Sequence, residues 1–85
     1  MKAYEVAPEE ILAVVENQIA ASNPPIVRQT LNRLLLGMLE RDDAIELIAV
    51  VLVNEMDAML EEDRGFDLAR YTELLKALPE LPEEQ

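Results

Sequence analysis

Apolar side chains recur at intervals of three and four residues through most of this chain, which is the pattern of amphipathic α-helices. Prolines and glycines interrupt the pattern and indicate where each helix ends. The predicted helices cover approximately residues 8–21, 24–37, 41–63 and 68–78, followed by a frayed acidic tail at 79–85. The sequence therefore predicts an all-α fold, a small four-helix bundle that forms a single domain over residues 1–85.

Several residue types at the helix junctions predict how the helices end. Gly37 is either the left-handed end of the second helix, which we favour, or a weak point inside it, and Gly65 is predicted to end the third helix. Asp67 is a good N-cap for the fourth helix, and Phe66 and Tyr71 around it have the spacing of a hydrophobic staple. The buried stripe of the second helix is predicted to contain five apolar residues: Val27, Leu31, Leu34, Leu35 and Met38.

The third predicted helix differs from the others because its residues 44–53 are apolar on nearly every side. Val50 falls in the middle of an arc that acidic residues otherwise occupy. A helix that is apolar all round is buried on more than one side, and a chain this short offers few neighbours to cover it. We therefore expect a homodimer that forms through the third helix, together with the second or fourth. The expected interface residues are Leu47, Val50, Val53 and Asn54.

Composition and charge narrow the possible functions. The 85 residues include 7 Lys and Arg against 18 Asp and Glu, for a net charge of −11, and contain neither His nor Cys. The acidity argues against nucleic-acid and membrane binding, because both partners are anionic. No apolar run is long enough to span a bilayer, and the first residues lack a signal-peptide pattern, so we expect a cytoplasmic protein. Residues 23–41, with three Arg and one Glu, form the single basic segment.

Glu55 is the strongest candidate for a functional side chain, because it interrupts the apolar face of the third helix. An unpaired carboxylate in such a position is costly. One interpretation is an ion pair with Arg28, Arg33 or Arg41. The other is a ligand-binding or metal-binding carboxylate with a raised pKa, with Glu16 as its partner. The Glu-x-x-His motif of carboxylate metal proteins is absent.

Three segments carry a resemblance to a known group of proteins. They are Glu16-Asn17-Gln18, Asn23-Pro24-Pro25-x-Val27-x-x-Thr30-Leu31-x-Arg33-Leu34, and Ala44-Ile45-x-x-Ile48-Ala49-x-Val51-Leu52. In these segments the chain resembles a family of short bacterial all-helical proteins of unknown function. The resemblance implies a bacterial helical bundle and supplies no activity. Members often carry His before the first segment and early in the third helix, positions at which this chain has Leu12 or Ala13 and Glu46.

The sequence thus favours a non-enzymatic interaction or structural module, homodimeric, without a cofactor and with itself or an unidentified protein as partner. It contains no His or Cys for a nucleophile–base pair and no glycine-rich loop that would hold a phosphate. The alternative is a helical protein that binds a small ligand or a metal through the carboxylates of Glu16 and Glu55.

Overall fold

The helix boundaries follow the predicted proline and polar signals in the computed structural model, which describes residues 8–82. Its four helices are α1 (Pro8–Ala21), α2 (Pro25–Leu36), α3 (Arg41–Glu62) and α4 (Leu68–Ala77). The all-α prediction is confirmed, and each end lies within one residue of its predicted position. The prediction of a frayed tail falls partly on residues 83–85, which lie outside the described residues.

The glycine prediction was only half right. Gly37 does cap α2, but its φ of −81° is not left-handed, and the left-handed residue is Met38, with φ 74°. The third helix ends before Gly65, because Asp63 turns the chain with φ 50°. Ser22 takes the same conformation after α1, with φ 51°. Three helices therefore end on non-glycine residues in a conformation that usually favours glycine.

Backbone hydrogen bonds explain why these residues turn left-handed. After α2, the N–H of Met38 donates to the carbonyl of Leu35 over 3.1 Å, and the N–H of Leu39 donates to Leu34 over 3.2 Å. This pair of bonds is the Schellman motif, which satisfies carbonyls that the helix end leaves free. The position after the cap must be left-handed for both bonds to form. Here that position falls on Met38, one residue beyond the glycine.

Replacing Met38 by glycine is expected to raise the free energy of unfolding by about 0.5–1 kcal/mol, since glycine adopts a positive φ without steric cost. The Met38 side chain is 90% exposed, so little packing is lost. Urea denaturation measures the change.

Gly37→Ala is the matched control for this prediction. A Cβ at Gly37 would lie 3.4 Å from the Leu34 carbonyl oxygen, which is an ordinary contact, so we expect little change. If Gly37→Ala were instead destabilising by about 1 kcal/mol and Met38→Gly neutral, the left-handed position would be Gly37 after all.

The core is formed by all four helices. Both α2 and α3 pack against each of the other three helices, and α1 and α4 lie on either side of this central pair. Ile48 and Val51 of α3, Val15 of α1 and Leu75 of α4 are fully buried. The predicted α2 stripe is correct for Val27, Leu31 and Leu34, whereas Leu35 is 37% and Met38 90% exposed. Met38 is outside the core because the helix has already ended.

The extent to which one protomer buries its own α3 bears on the expected dimer. Its own chain buries Ala44, Ile45, Ile48, Ala49, Val51 and Leu52, and Leu47 and Val53 pack partly against the same core. Val50 is 45% exposed, as its position in the acidic arc predicts. Most of the apolar circumference of α3 is therefore covered within one protomer, which sequence analysis did not anticipate. None of the helices in residues 8–82 has the length and apolar character to cross a membrane.

Candidate functional site

The most unusual side chain in the described structure is Glu55, a carboxylate with no exposed surface. It lies in α3 among the apolar residues that form the helix's inner side, as the sequence predicted. Burial of an ion is tolerated only when hydrogen bonds replace the lost water. The surroundings of Glu55 therefore decide whether it is a structural or a reactive group.

Four hydrogen bonds occupy both oxygens of Glu55. The guanidinium of Arg64 donates to Oε2 over 2.8 Å and to Oε1 over 3.2 Å. Arg70 donates to Oε1 over 2.7 Å. The backbone N–H of Asp67 donates to Oε2 over 2.8 Å. We call Glu55, Arg64, Asp67 and Arg70 the Glu55 cluster.

Local structure after α3 brings the donors to Glu55. The left-handed Asp63 reverses the chain, so that Arg64 folds back toward the helix it has just left. Asp67 then caps α4, and its Oδ1 accepts from the backbone N–H of Arg70 over 3.0 Å. The predicted staple is present too, with the rings of Phe66 and Tyr71 edge to face and 5.1 Å apart. This cap and staple confirm the prediction for the start of α4.

Outer contacts hold the two arginines of the cluster in place. Arg70 also donates to Oδ1 of Asn54 over 2.5 Å. Arg64 donates through Nε to Glu62 and through Nη1 to the carbonyl of Gly65. Asn54, an expected dimer-interface residue, therefore uses its amide oxygen inside the protomer.

The electrostatics of the cluster keep Glu55 ionised. Burial raises the pKa of the carboxyl, but the hydrogen bonds from Arg64, the Asp67 backbone and Arg70 outweigh it and lower the pKa from 4.5 to about 2. The hydrogen bonds of Arg64 to Glu55 and Glu62 raise the pKa of its guanidinium. Glu55 is thus a permanent anion near neutral pH, enclosed by cations, and cannot act there as a proton donor.

Acid is expected to weaken the fold through Glu55. Because the folded-state pKa is lowered, the stabilisation is fully present above pH 4.5 and is lost as the pH falls toward about 2. The expected loss is about 1–3 kcal/mol, relative to a Glu55→Gln variant that lacks the titrating group. Urea denaturation of both proteins across this pH range measures it.

The comparison with the variant is needed because protonation also relieves repulsion among the other carboxylates of this acidic chain, which has the opposite sign. Parallel curves for the two proteins would show that Glu55 has an ordinary pKa.

The structure favours the ion-pair interpretation of Glu55 over the alternative of a carboxylate with a raised pKa. An ion pair is present, but its partners are Arg64 and Arg70 rather than Arg28, Arg33 or Arg41. The expectation of a raised pKa was wrong, because the donors outweigh the effect of burial. The sequence did not indicate Arg64 as a partner because this residue follows the end of α3. It approaches Glu55 only because the chain turns back at Asp63.

Glu16, the expected second carboxylate of a metal site, has a different partner. Arg41 donates to both of its oxygens over 2.7 Å, on the half-exposed junction between α1 and α3. The hydrogen bond from Arg41 lowers the pKa of Glu16. Glu16 and Glu55 are thus held by separate arginines. Within residues 8–82 no group of three or more potential metal ligands comes together, and nothing in this geometry favours the metal-binding alternative.

Two further polar contacts were not anticipated from sequence. Tyr71, fully buried in α4, donates its hydroxyl to Oε1 of Gln18 in α1 over 2.9 Å, and burial raises the pKa of its phenol. Arg33 donates to the carbonyls of Leu78 over 2.7 Å and Leu75 over 2.9 Å. A cation at the carboxyl end of α4 also interacts favourably with the helix dipole.

Comparison with known proteins gave no match: no family model fits the chain, and no curated protein or solved structure is significantly similar to it. The resemblance to short bacterial helical proteins therefore stays a prediction.

Proposed function

We propose that this protein is a non-enzymatic interaction or structural module that associates with a second copy of itself. The observation that carries the proposal is apolar surface that the fold does not use. Leu36 and Met38, at the end of α2, are 86% and 90% exposed, and Val50 is 45% exposed on α3. Exposed apolar residues that lie close together along the chain, as Leu36 and Met38 do, are typical of interaction sites, and Val50 is a separate exposed apolar position on α3.

The chemistry of the described residues supports a non-enzymatic role. The chain has no His or Cys, so two of the commonest acid–base and nucleophilic side chains are missing. Glu55 is enclosed and held as an anion, with both oxygens bonded to protein donors. The cluster joins α3 to α4 and has the features of a structural ion pair. A cytoplasmic location and a bacterial origin belong to the same proposal.

Val50 is the centre of the proposed self-association surface on α3. Among the four residues expected at the interface, Leu47 and Val53 pack partly against their own core, and Asn54 accepts from Arg70. Val50 remains available on the outer side. Small domains without disulfides or metals often gain stability by association, and this chain contains no cysteine.

Val50→Glu is expected to weaken self-association by about tenfold or more, because assembly would bury an unpaired charge at this position. The helical content is expected to stay unchanged, because the same charge is exposed to water on the single protomer. Light scattering coupled to size exclusion measures the assembly, and circular dichroism measures helicity. Leu60→Glu is the matched control, since Leu60 is 50% exposed farther along α3.

A wild-type protein that stays monomeric at high micromolar concentration would overturn the proposed self-association. Equal association of the wild type and Val50→Glu would remove Val50 from the interface and place the contact elsewhere.

A further inference from the structure

The outer sides of α2 and α3 carry opposite charge. Helix α2 contains Arg28 and Arg33 and no acidic residue, although the whole chain has a net charge of −11. After Arg41, which is paired with Glu16, the exposed side of α3 continues with Asp42, Asp43 and Glu46. Arg33 is committed to the end of α4, so Arg28 supplies the exposed positive charge of α2.

These two sides point away from each other. Helices α2 and α3 pack together at the centre of the bundle, and each turns its buried side toward the other. Their exposed sides therefore lie on opposite surfaces of the domain. A single protomer cannot bring the two surfaces together, but two protomers can.

Each surface contains a row of exposed residues at four-residue spacing. The α2 row is Arg28, Asn32 and Leu36, and the α3 row is Asp42, Glu46 and Val50. Each row has charge at its start and an apolar side chain eight residues later, about 12 Å along the helix at 1.5 Å per residue. When the rows run in the same direction, Arg28 meets Asp42 and Leu36 meets Val50. Rows of this spacing are the ridges that pack between helices.

We propose that copies of this protein associate head to tail, with the α2 row of one protomer bound to the α3 row of the next. This inference rests on the proposed self-association and specifies its geometry. A symmetric contact between two parallel α3 rows would place Asp42 and Glu46 opposite the same acidic residues, and an antiparallel contact would leave both without an opposite charge, since the row contains no cation. A symmetric α2 contact would bring two Arg28 side chains together if the rows are parallel, and would place each Arg28 opposite Leu36 if they are antiparallel. The head-to-tail arrangement pairs opposite charges and covers Leu36 and Val50 at once.

A head-to-tail contact leaves one free row at each end of a dimer. Assembly therefore continues to larger species or closes as a ring, in contrast to a symmetric dimer, which stops at two.

The test mixes two variants that each damage one row. Leu36→Glu disrupts the α2 row and keeps the α3 row, and Val50→Glu does the reverse. Each variant alone is expected to be monomeric at concentrations at which the wild type assembles. Their equimolar mixture is expected to form a one-to-one heterodimer and nothing larger, because only one pair of rows is intact. Sedimentation velocity resolves these species, and circular dichroism confirms that both exposed substitutions leave the fold intact.

Charge reversal tests the pairing of Arg28 with Asp42. Arg28→Asp and Asp42→Arg are each expected to weaken assembly by about tenfold, and the double variant is expected to recover it. Unchanged assembly of both single variants, or no recovery in the double variant, would contradict this pairing.

Failure of this geometry and failure of the proposed function give different results. If the wild type assembles but the mixture stays monomeric, or if Leu36→Glu alone assembles normally, the head-to-tail arrangement is overturned and self-association stands. If the wild type never assembles, the proposed self-association fails as well.

Discussion

Replacing Glu55 by glutamine is expected to lower the free energy of unfolding by about 3 kcal/mol, which is a large share of the stability of a domain this size. Arg64 and Arg70 would lose their anionic partner. The NH2 group of glutamine would also face at least one of the N–H groups that now donate to Glu55, and two donors cannot form a hydrogen bond. The side chains of Arg64 and Arg70 are 25% and 32% exposed and so retain some access to water. The expected loss of stability is therefore at the lower end of the range for breaking a buried ion pair. Thermal and urea unfolding measure the change.

Glu62→Gln is the matched control for Glu55→Gln. Glu62 contacts the same Arg64, but its side chain is 59% exposed, and exposed ion pairs contribute little. We expect a change of less than about 0.5 kcal/mol. Equal effects of the two substitutions would mean that the burial of Glu55 has no energetic consequence.

Truncating Tyr71 to alanine is expected to destabilise the domain by about 3–5 kcal/mol. Tyr71 has no exposed surface, packs edge to face against Phe66, and bonds to Gln18 across the bundle. The substitution leaves a cavity between α1, α3 and α4 and removes the residue that fixes the start of α4. Urea denaturation of the variant, or loss of the folded state in circular dichroism, records the effect.

Tyr71→Phe separates the ring from the hydroxyl. It keeps the packing and removes one hydrogen bond, so the expected cost is about 1 kcal/mol. Gln18 is partly exposed, which allows water to replace the lost donor. If phenylalanine were as damaging as alanine, the hydrogen bond rather than the packing would hold α4 to α1.

Much of the fold follows from the periodicity of apolar residues. The stripe of α2 predicts the buried positions Val27, Leu31 and Leu34, and Val50, which lies in an arc of acidic residues, is exposed on the protomer. Periodicity works here because burial of apolar area dominates which side of a helix faces inward. This periodicity depends only on residues that are close in sequence, so a single sequence contains the information.

The candidate site was predicted less well, because it depends on turns and long-range packing. Sequence placed Glu55 in an apolar surrounding but assigned it the wrong arginines. Of its two true partners, Arg64 and Arg70, the first reaches it through the left-handed turn at Asp63, which the residue type alone does not predict. Gly37 misled in the same way, since the hydrogen bonds of the helix end set the turn at Met38.

Helix α4 has only ten residues, and an isolated peptide of that length would scarcely form a helix in water. The structure fastens it at both ends, to Glu55 through Arg70 and the Asp67 amide, and to α2 through Arg33. Unfolding of α4 therefore requires that its contacts with both α2 and α3 break. We therefore expect α4 to unfold together with the rest of the domain, without a partly folded species that has lost only this helix.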